Sequence, residues 1–290
     1  MNPFTAGTDD LERSAREWVF SPELRDLVAI SGAQIPATGT REALAWLDDF
    51  SAAEWDFRAG RERSAMRPQA FEPGVAATIT TSLRELGLAG RTTPAAGAYD
   101  RMLILGGGAP ACVTRPAFAA ALIAGGLRVG GVAALGSDRP LIEVEREFLA
   151  ELGAAGHTEA DAIAAGSRAA FGVGPVHVVR AIRDEGTTRA NTADTYDAWR
   201  AADPGPHGRV LIVTTEPYVP FQHFDAVRKL GLGSGCSVET IGVPAGFELS
   251  NGFQVRFTLA HCLQEVRSAI RSLRRLLAAL DGDRAIADSR

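Results

Sequence analysis

Cysteine is scarce in this chain, basic charge is not in excess, and no apolar run approaches the length of a bilayer. Each shortage excludes something. The three cysteines, Cys112, Cys236 and Cys262, are far apart and odd in number. They offer neither a disulfide framework nor paired zinc ligands, and a reducing cytoplasm suits them. With 30 Lys plus Arg against 35 Asp plus Glu, the chain lacks the positive footprint of a nucleic-acid binder. A small-molecule partner is expected instead. The first residues are acidic early and contain no apolar segment, so no signal peptide is expected, and no membrane span either. Missing motifs narrow the chemistry further. There is no HExxH, paired-cysteine or EF-hand spacing for a metal, no G-x-S-x-G elbow, no G-x-G-x-x-G dinucleotide fingerprint and no P-loop Lys-Ser/Thr pair.

What is present is a change of pattern near residue 98. Residues 1–97 read as a helical subdomain or cap. Asp9 or Asp10 can cap a helix through Phe20, Ser21-Pro22 restarts one, and Thr40 opens another. Ser51 to Glu54 has capping-box spacing, and a further helix is expected near Gly74 to Leu88. Residues 98–290 alternate short apolar runs with amphipathic stretches, the pattern of a parallel sheet with crossover helices. The expected class is therefore α/β, a Rossmann-like sheet of about five strands behind a helical N-terminal cap. Strands are expected at Arg101–Leu105, Leu127–Ala134, Val176–Ala181, Val210–Thr214 and Ser237–Gly242, with helices from Pro116, Leu141, Glu159, Thr192, Val219 and Phe257.

The chain is organised around Tyr99 to Gly108, an apolar run that ends in three glycines before a helix. Gly106, Gly107 and Gly108 would let a ligand approach the backbone, and the first N–H groups of the helix would meet an anion; a tight turn with nothing bound is the plain alternative. Ligands of open parallel sheets bind outside the carboxyl ends of the strands, so the loops there form one candidate site. Arg115 could add a guanidinium. Glu145 leads the helix after the second strand. After the third strand come Arg189, Asn191, Thr192 and Asp194, dense in hydrogen-bonding groups, although Asn191 or Thr192 can equally cap a helix. The fourth strand ends in Thr214-Thr215, followed by Tyr218 and His223, whose imidazole titrates near neutrality.

These motifs, taken in order, resemble the bacterial YdcF, SanA and ElyC family over Tyr99 to Gly242. The glycine loop maps to Gly106–Gly108, the helix arginine to Arg115, the family's Ser-Glu-Ala helix start to Val144-Glu145-Arg146, where only the glutamate survives, and the Asn-Thr pair to Asn191-Thr192. The family's Glu-Asn is Asp194-Thr195 here, and its His-x-Pro-Arg turn is Tyr218-Val219-Pro220-Phe221, without the histidine or the arginine. The resemblance implies a Rossmann-like sheet and an envelope-related or nucleotide-like ligand, S-adenosylmethionine among them. Since SanA-like and ElyC-like members carry membrane segments, it favours a cytoplasmic, YdcF-like comparison.

The expectation is then a protein that binds, and as an enzyme would transform, a nucleotide-like molecule. Gly106–Gly108, Arg115, Arg189, Asn191, Thr192, Thr215 and Tyr218 would bind it, with Tyr218 stacking. Glu145, Asp194 and His223 are the candidate acids and bases. Transfer or hydrolysis fits better than redox chemistry, because the nicotinamide fingerprint is absent. The alternatives are a specialised biosynthetic enzyme with Tyr218 and Phe221 shaping an apolar pocket, and a non-catalytic oligomer, such as a homodimer, formed through an apolar stripe of Leu273, Leu276, Leu277 and Leu280.

Overall fold

The computed structural model of the chain describes residues 8–57, 69–174, 176–182, 192–232 and 235–288. Helices come first: α1 (Thr8–Val19), α2 (Pro22–Ala29), α3 (Thr40–Glu54) and α4 (Pro73–Glu85). Local chemistry sets their starts. Ser21 Oγ accepts the N–H of Leu24 at 3.3 Å and Pro22 takes the first-turn position, where its missing N–H costs nothing. Ser51, expected to cap a new helix, instead lies buried in the last turn of α3, its hydroxyl donating to the Asp48 carbonyl at 3.1 Å. The preceding residues are already helical and carry the helix past it.

The pattern then changes as the sequence suggests: β1 (Ala98–Tyr99), β2 (Arg101–Leu105), α5 (Ala109–Ala124), β3 (Arg128–Val129), β4 (Val132–Ser137), α6 (Glu143–Glu151), α7 (Glu159–Phe171), β5 (Val176–Ala181), α8 (Thr192–Ala202), β6 (Arg209–Thr215), α9 (Val219–Ala226), β7 (Ser237–Val243) and α10 (Leu259–Asp288). The five longer strands form one parallel sheet in the order β5-β4-β2-β6-β7. The architecture is α/β with a helical N-terminal region.

Two elements differ from expectation. The strand expected at Leu127–Ala134 is broken at Gly130-Gly131: β3 pairs with β1, and only β4 joins the main sheet. α5 begins at Ala109, so Pro116 lies inside it rather than at its start. Proline there leaves the Cys112 carbonyl without its helical donor. The backbone of α7 closes on that spot at Gly166, where any Cβ would collide with the Cys112 carbonyl oxygen. The absent side chain allows this helix pair its close approach.

The chain forms two compact units, one of residues 1–91, 216–228 and 257–290, the other of 92–215 and 229–256. In the second, Met102, Ile104, Ala134, Leu211 and Val213 on one face of the sheet pack with Cys112, Phe118, Ala119 and Ile163 of α5 and α7. In the helical unit, α10 packs on α3 and α9. Leu273, Leu276, Leu277 and Leu280 are all buried, so the exposed stripe that would favour an oligomer is not present. The helix carries its charge elsewhere: Arg274 pairs with Asp48 at 2.7 Å and Arg267 with Asp56 at 3.1 Å.

Candidate functional site

Numbered by their order in the chain, the five strands run 3-2-1-4-5 across the sheet, so the winding reverses between β2 and β6. Helices crossing to opposite sides leave a crevice at the carboxyl ends of such a pair, the usual ligand position in this architecture. Here β2 runs into Gly106–Gly108 and β6 ends at Thr215, with Arg115 across the gap. Its Nε donates to Thr215 Oγ1 at 3.0 Å, and Nη1 donates to the carbonyls of Leu105, at 2.9 Å, and Gly106. Arg115 is only 2% exposed. It ties the two strand ends together, a structural duty that the sequence reading, which had it facing a ligand, did not anticipate.

The glycines divide their work. A Cβ on Gly106 would collide with Glu159 Oε1 and stand 2.7 Å from the Leu135 carbonyl oxygen, so this glycine exists to seat a carboxylate. Gly107 and Gly108 differ. Their carbonyls accept from Arg139 Nη2 and from the Cys112 N–H, respectively, but among the described residues nothing accepts from their own N–H groups. Two adjacent open donors at a helix start form an anion-seeking turn.

Beside that turn sits a cluster the sequence reading only half anticipated. Arg139, following β4, forks onto Glu145 with both contacts at 2.9 Å and reaches Glu159 Oε2 through Nε at 3.3 Å. Glu145 also accepts the N–H of Ile142 at 3.0 Å and that of Ala109, the first residue of α5, at 3.1 Å. Expected to act as an acid or base, Glu145 instead caps α5 through the Ala109 N–H and reaches back to the N–H of Ile142, the residue before α6. Burial alone would raise its pKa, but the Arg139 hydrogen bonds and the two backbone donors outweigh that and hold it below the ordinary carboxylate range. Glu159 goes the other way. It is buried, and this desolvation raises its pKa despite Arg139 and the 3.0 Å hydrogen bond from Ser137. Ser137, Arg139 and Glu159 were not singled out from the sequence. Their signal was position alone: two stand at or just past the end of β4 and the third opens α7.

Of the other expected residues, Asp194 is half-buried in the first turn of α8. Arg189 and Asn191, and the side chain of Thr192, lie outside the described residues. Tyr218 and His223 belong to the helical unit, where both are buried. The Tyr218 ring meets Phe221 and Phe257 edge-on, with centroids 6.0 and 5.6 Å away, contacts of core packing rather than an open stacking platform.

The amino edge of the same sheet is built differently. A cavity of about 590 Å³ opens there, lined by Trp199, Arg200, Asp203, His207, Leu230 and Cys236 among others. The Trp199 and His207 rings meet at a tilt with centroids 4.9 Å apart, His207 Nε2 lies 3.2 Å from the Asp203 carbonyl oxygen, and Arg101 pairs with Asp203 at 2.7 Å. Desolvation pushes the Cys236 thiol up to about 11, so it is not an activated nucleophile. Among the described residues, no group of three or more His, Cys, Asp or Glu could hold a metal ion.

Sheet order, open glycine turn and buried charge cluster define the protein as a doubly wound α/β protein whose winding reverses between β2 and β6. The Rv3785 N-terminal domain matches residues 3–87. Over 94% of its length the chain is 30% identical to Rv3785 of Mycobacterium tuberculosis H37Rv, 91% of which is covered. Mb3814 of Mycobacterium bovis matches with the same identity and coverage. The chain belongs to the Rv3785 family. No solved structure matches it. These matches overturn the resemblance to the YdcF, SanA and ElyC family. Its motifs were short, and a glycine turn or an Asn-Thr helix start recurs wherever a parallel strand must pass into a helix. Among the described residues no helix is long and apolar enough to cross a membrane.

Proposed function

We propose that this protein binds an anionic, nucleotide-like small molecule at the carboxyl edge of its sheet, over Gly107 and Gly108. The observation that carries the reading is the pair of open N–H groups at the start of α5, placed at the switch point between β2 and β6. Thr215 ends β6, beside β2, and Asp194 lies in the first turn of α8, the helix that follows the edge strand β5; both would meet the polar head. Transfer or hydrolysis suits the site better than hydride chemistry, because the glycine turn lacks the nicotinamide fingerprint. S-adenosylmethionine loses the resemblance that suggested it and keeps only the support of the fold. The three cysteines are free thiols, which suits the cytoplasm.

A thermal-shift panel of adenine nucleotides, S-adenosylmethionine, S-adenosylhomocysteine and sugar phosphates tests this. A ligand at one hundred times its Kd adds about 2.7 kcal/mol of stability, a readily measured rise in Tm. Gly107→Val should abolish the rise, since even a Cβ there stands 3.3 Å from Ala111 Cβ and 3.4 Å from Arg115 Nη1. No rise with any ligand would sink the reading.

The amino-edge cavity supports a second reading, since about 590 Å³ is ample for a small molecule. The carboxyl edge is preferred because its donors are open, whereas Asp197, Arg200, Asp203 and His207 of the cavity wall already have protein partners. Filling the cavity with Cys236→Phe separates the two. A ligand shift lost in that variant and kept in Gly107→Val would move the site to the amino edge.

A further inference from the structure

The residue between Ser137 and Arg139 is the exception in its surroundings. Ser137 donates to Glu159 at 3.0 Å, and Arg139 is held by Glu145 and Glu159. Asp138 is fixed by its backbone alone, its N–H donating to the Ala181 carbonyl at the end of β5, 3.1 Å away. Among the described residues no group donates to its carboxylate, and Oδ1 is closed off from water as well. A carboxylate oxygen with neither water nor a donor is a standing cost to the fold, and in a native protein it calls for a reason.

Its place in the sheet supplies one. β4 lies beside β2 with Leu135 opposite Leu105, so Asp138 and Gly108 each stand three residues past a paired position. They leave the carboxyl edge on adjacent strands, which in a sheet are about 4.8 Å apart. A 5′-phosphate and the diol of its own ribose readily span that gap. Of the parts of an anionic, nucleotide-like molecule, the diol is the one with two adjacent donors and no charge, and a carboxylate can accept from both hydroxyls. Asp138 is only half-buried, and with no hydrogen bond to hold it the carboxylate can swing toward the edge and present both oxygens.

We propose that Asp138 is the acceptor for the vicinal hydroxyls of the ligand's ribose, so that the ligand is a ribonucleoside derivative and not a 2′-deoxy one. This rests on the carboxyl-edge reading and adds its sugar specificity. An acid past the glycine turn serves the ribose in this way in doubly wound sheets that bind dinucleotides. Here the unmet oxygen is an independent sign of it. Binding gives the carboxylate its donors, whereas an analogue that lacks one hydroxyl leaves it unmet, the means by which a site rejects a molecule that is merely smaller.

The test is thermal shift with ADP, 2′-deoxy-ADP and S-adenosylmethionine in the wild type, Asp138→Ala and Gly107→Val. The wild type should bind ADP at least about tenfold more tightly than 2′-deoxy-ADP, the size of one hydrogen bond to a charged acceptor. In Asp138→Ala that preference should vanish. Without ligand, Asp138→Ala should melt no lower than the wild type, because it removes an unmet carboxylate and no hydrogen bond. Equal binding of the two nucleotides by the wild type, lost in Gly107→Val, overturns this inference and leaves the carboxyl-edge reading standing. A preference for ADP that survives in Asp138→Ala overturns it too, as does an Asp138→Ala chain that melts clearly lower or does not fold, since the aspartate is then structural. A preference lost in Asp138→Ala with ADP binding unchanged in Gly107→Val upholds the role of Asp138 and removes the glycine turn from the site. No binding of any of the three overturns the inference, and no binding across the rest of the ligand panel removes the reading beneath it as well.

Discussion

At the carboxyl edge of the sheet Arg139 and Glu145 are 13% and 10% exposed, whereas at the amino edge Arg101 meets Asp203 with side chains 30% and 29% exposed. The same chemistry has different consequences in the two places. Near water an ion pair gains little over separate solvation. Out of water each charge depends on its partner, and removing one strands the other. The two edges also divide the attributes of a binding site. The amino edge has the volume, with its polar walls already paired. The carboxyl edge has unpaired donors and an unevenly matched pair of acids.

The sharpest way to break the comparison is Arg139→Ala. It leaves Glu145 and Glu159 without their shared cation and should cost about 3–5 kcal/mol, read as a lower denaturant midpoint at unchanged slope. A loss near that of an exposed pair would show that the cluster is not buried in solution. Gly106→Ala comes next. Its methyl must displace Glu159 or the Leu135 carbonyl, an overpacking cost of about 1–3 kcal/mol in the same assay, and a neutral result would mean that the carboxylate does not lie under the turn.

Acid denaturation of Glu145→Gln sharpens the contrast within the cluster. Because the folded pKa of Glu145 is depressed, its stabilisation is present above the unfolded value of about 4.3 and is lost as pH falls through the folded value. The variant should therefore be the less stable chain at neutral pH, and the gap should close toward acid. A gap that widened toward acid would reverse the assigned sign. The smallest effect belongs to the amino edge. Arg101→Ala should cost less than about 1 kcal/mol, and a larger loss would make that pair more than a surface contact.

Some of this was legible in the residues and some was not. Arg101–Leu105 and Val176–Ala181 were readable to the residue, the first as a continuous apolar run suited to a strand inside the sheet and the second as an alternating run suited to its edge. The start of α5 was misread at Pro116, because proline usually marks a helix start. Gly166, far along the chain, lets α7 close on the Cys112 carbonyl that the proline leaves without its helical donor. Glu145 was visible as a candidate but not in its actual role, since a glutamate near a helix start looks alike whether it caps a neighbouring helix or meets a ligand. Arg139 and Glu159 sent no pattern at all: they stand far apart in sequence and meet only across β4 and α7.

By itself the sequence determined the class of the protein, four of the five strands of its main sheet and the glycine turn at its centre, because periodicity and turn chemistry are local properties of the chain. Tertiary structure alone decided which charges are buried, that Arg115 ties strand ends together, that Glu145 caps α5, and that among the described residues no donor reaches the Asp138 carboxylate. Burial and pairing depend on which distant segments close over a side chain, and that is settled only when the sheet is assembled.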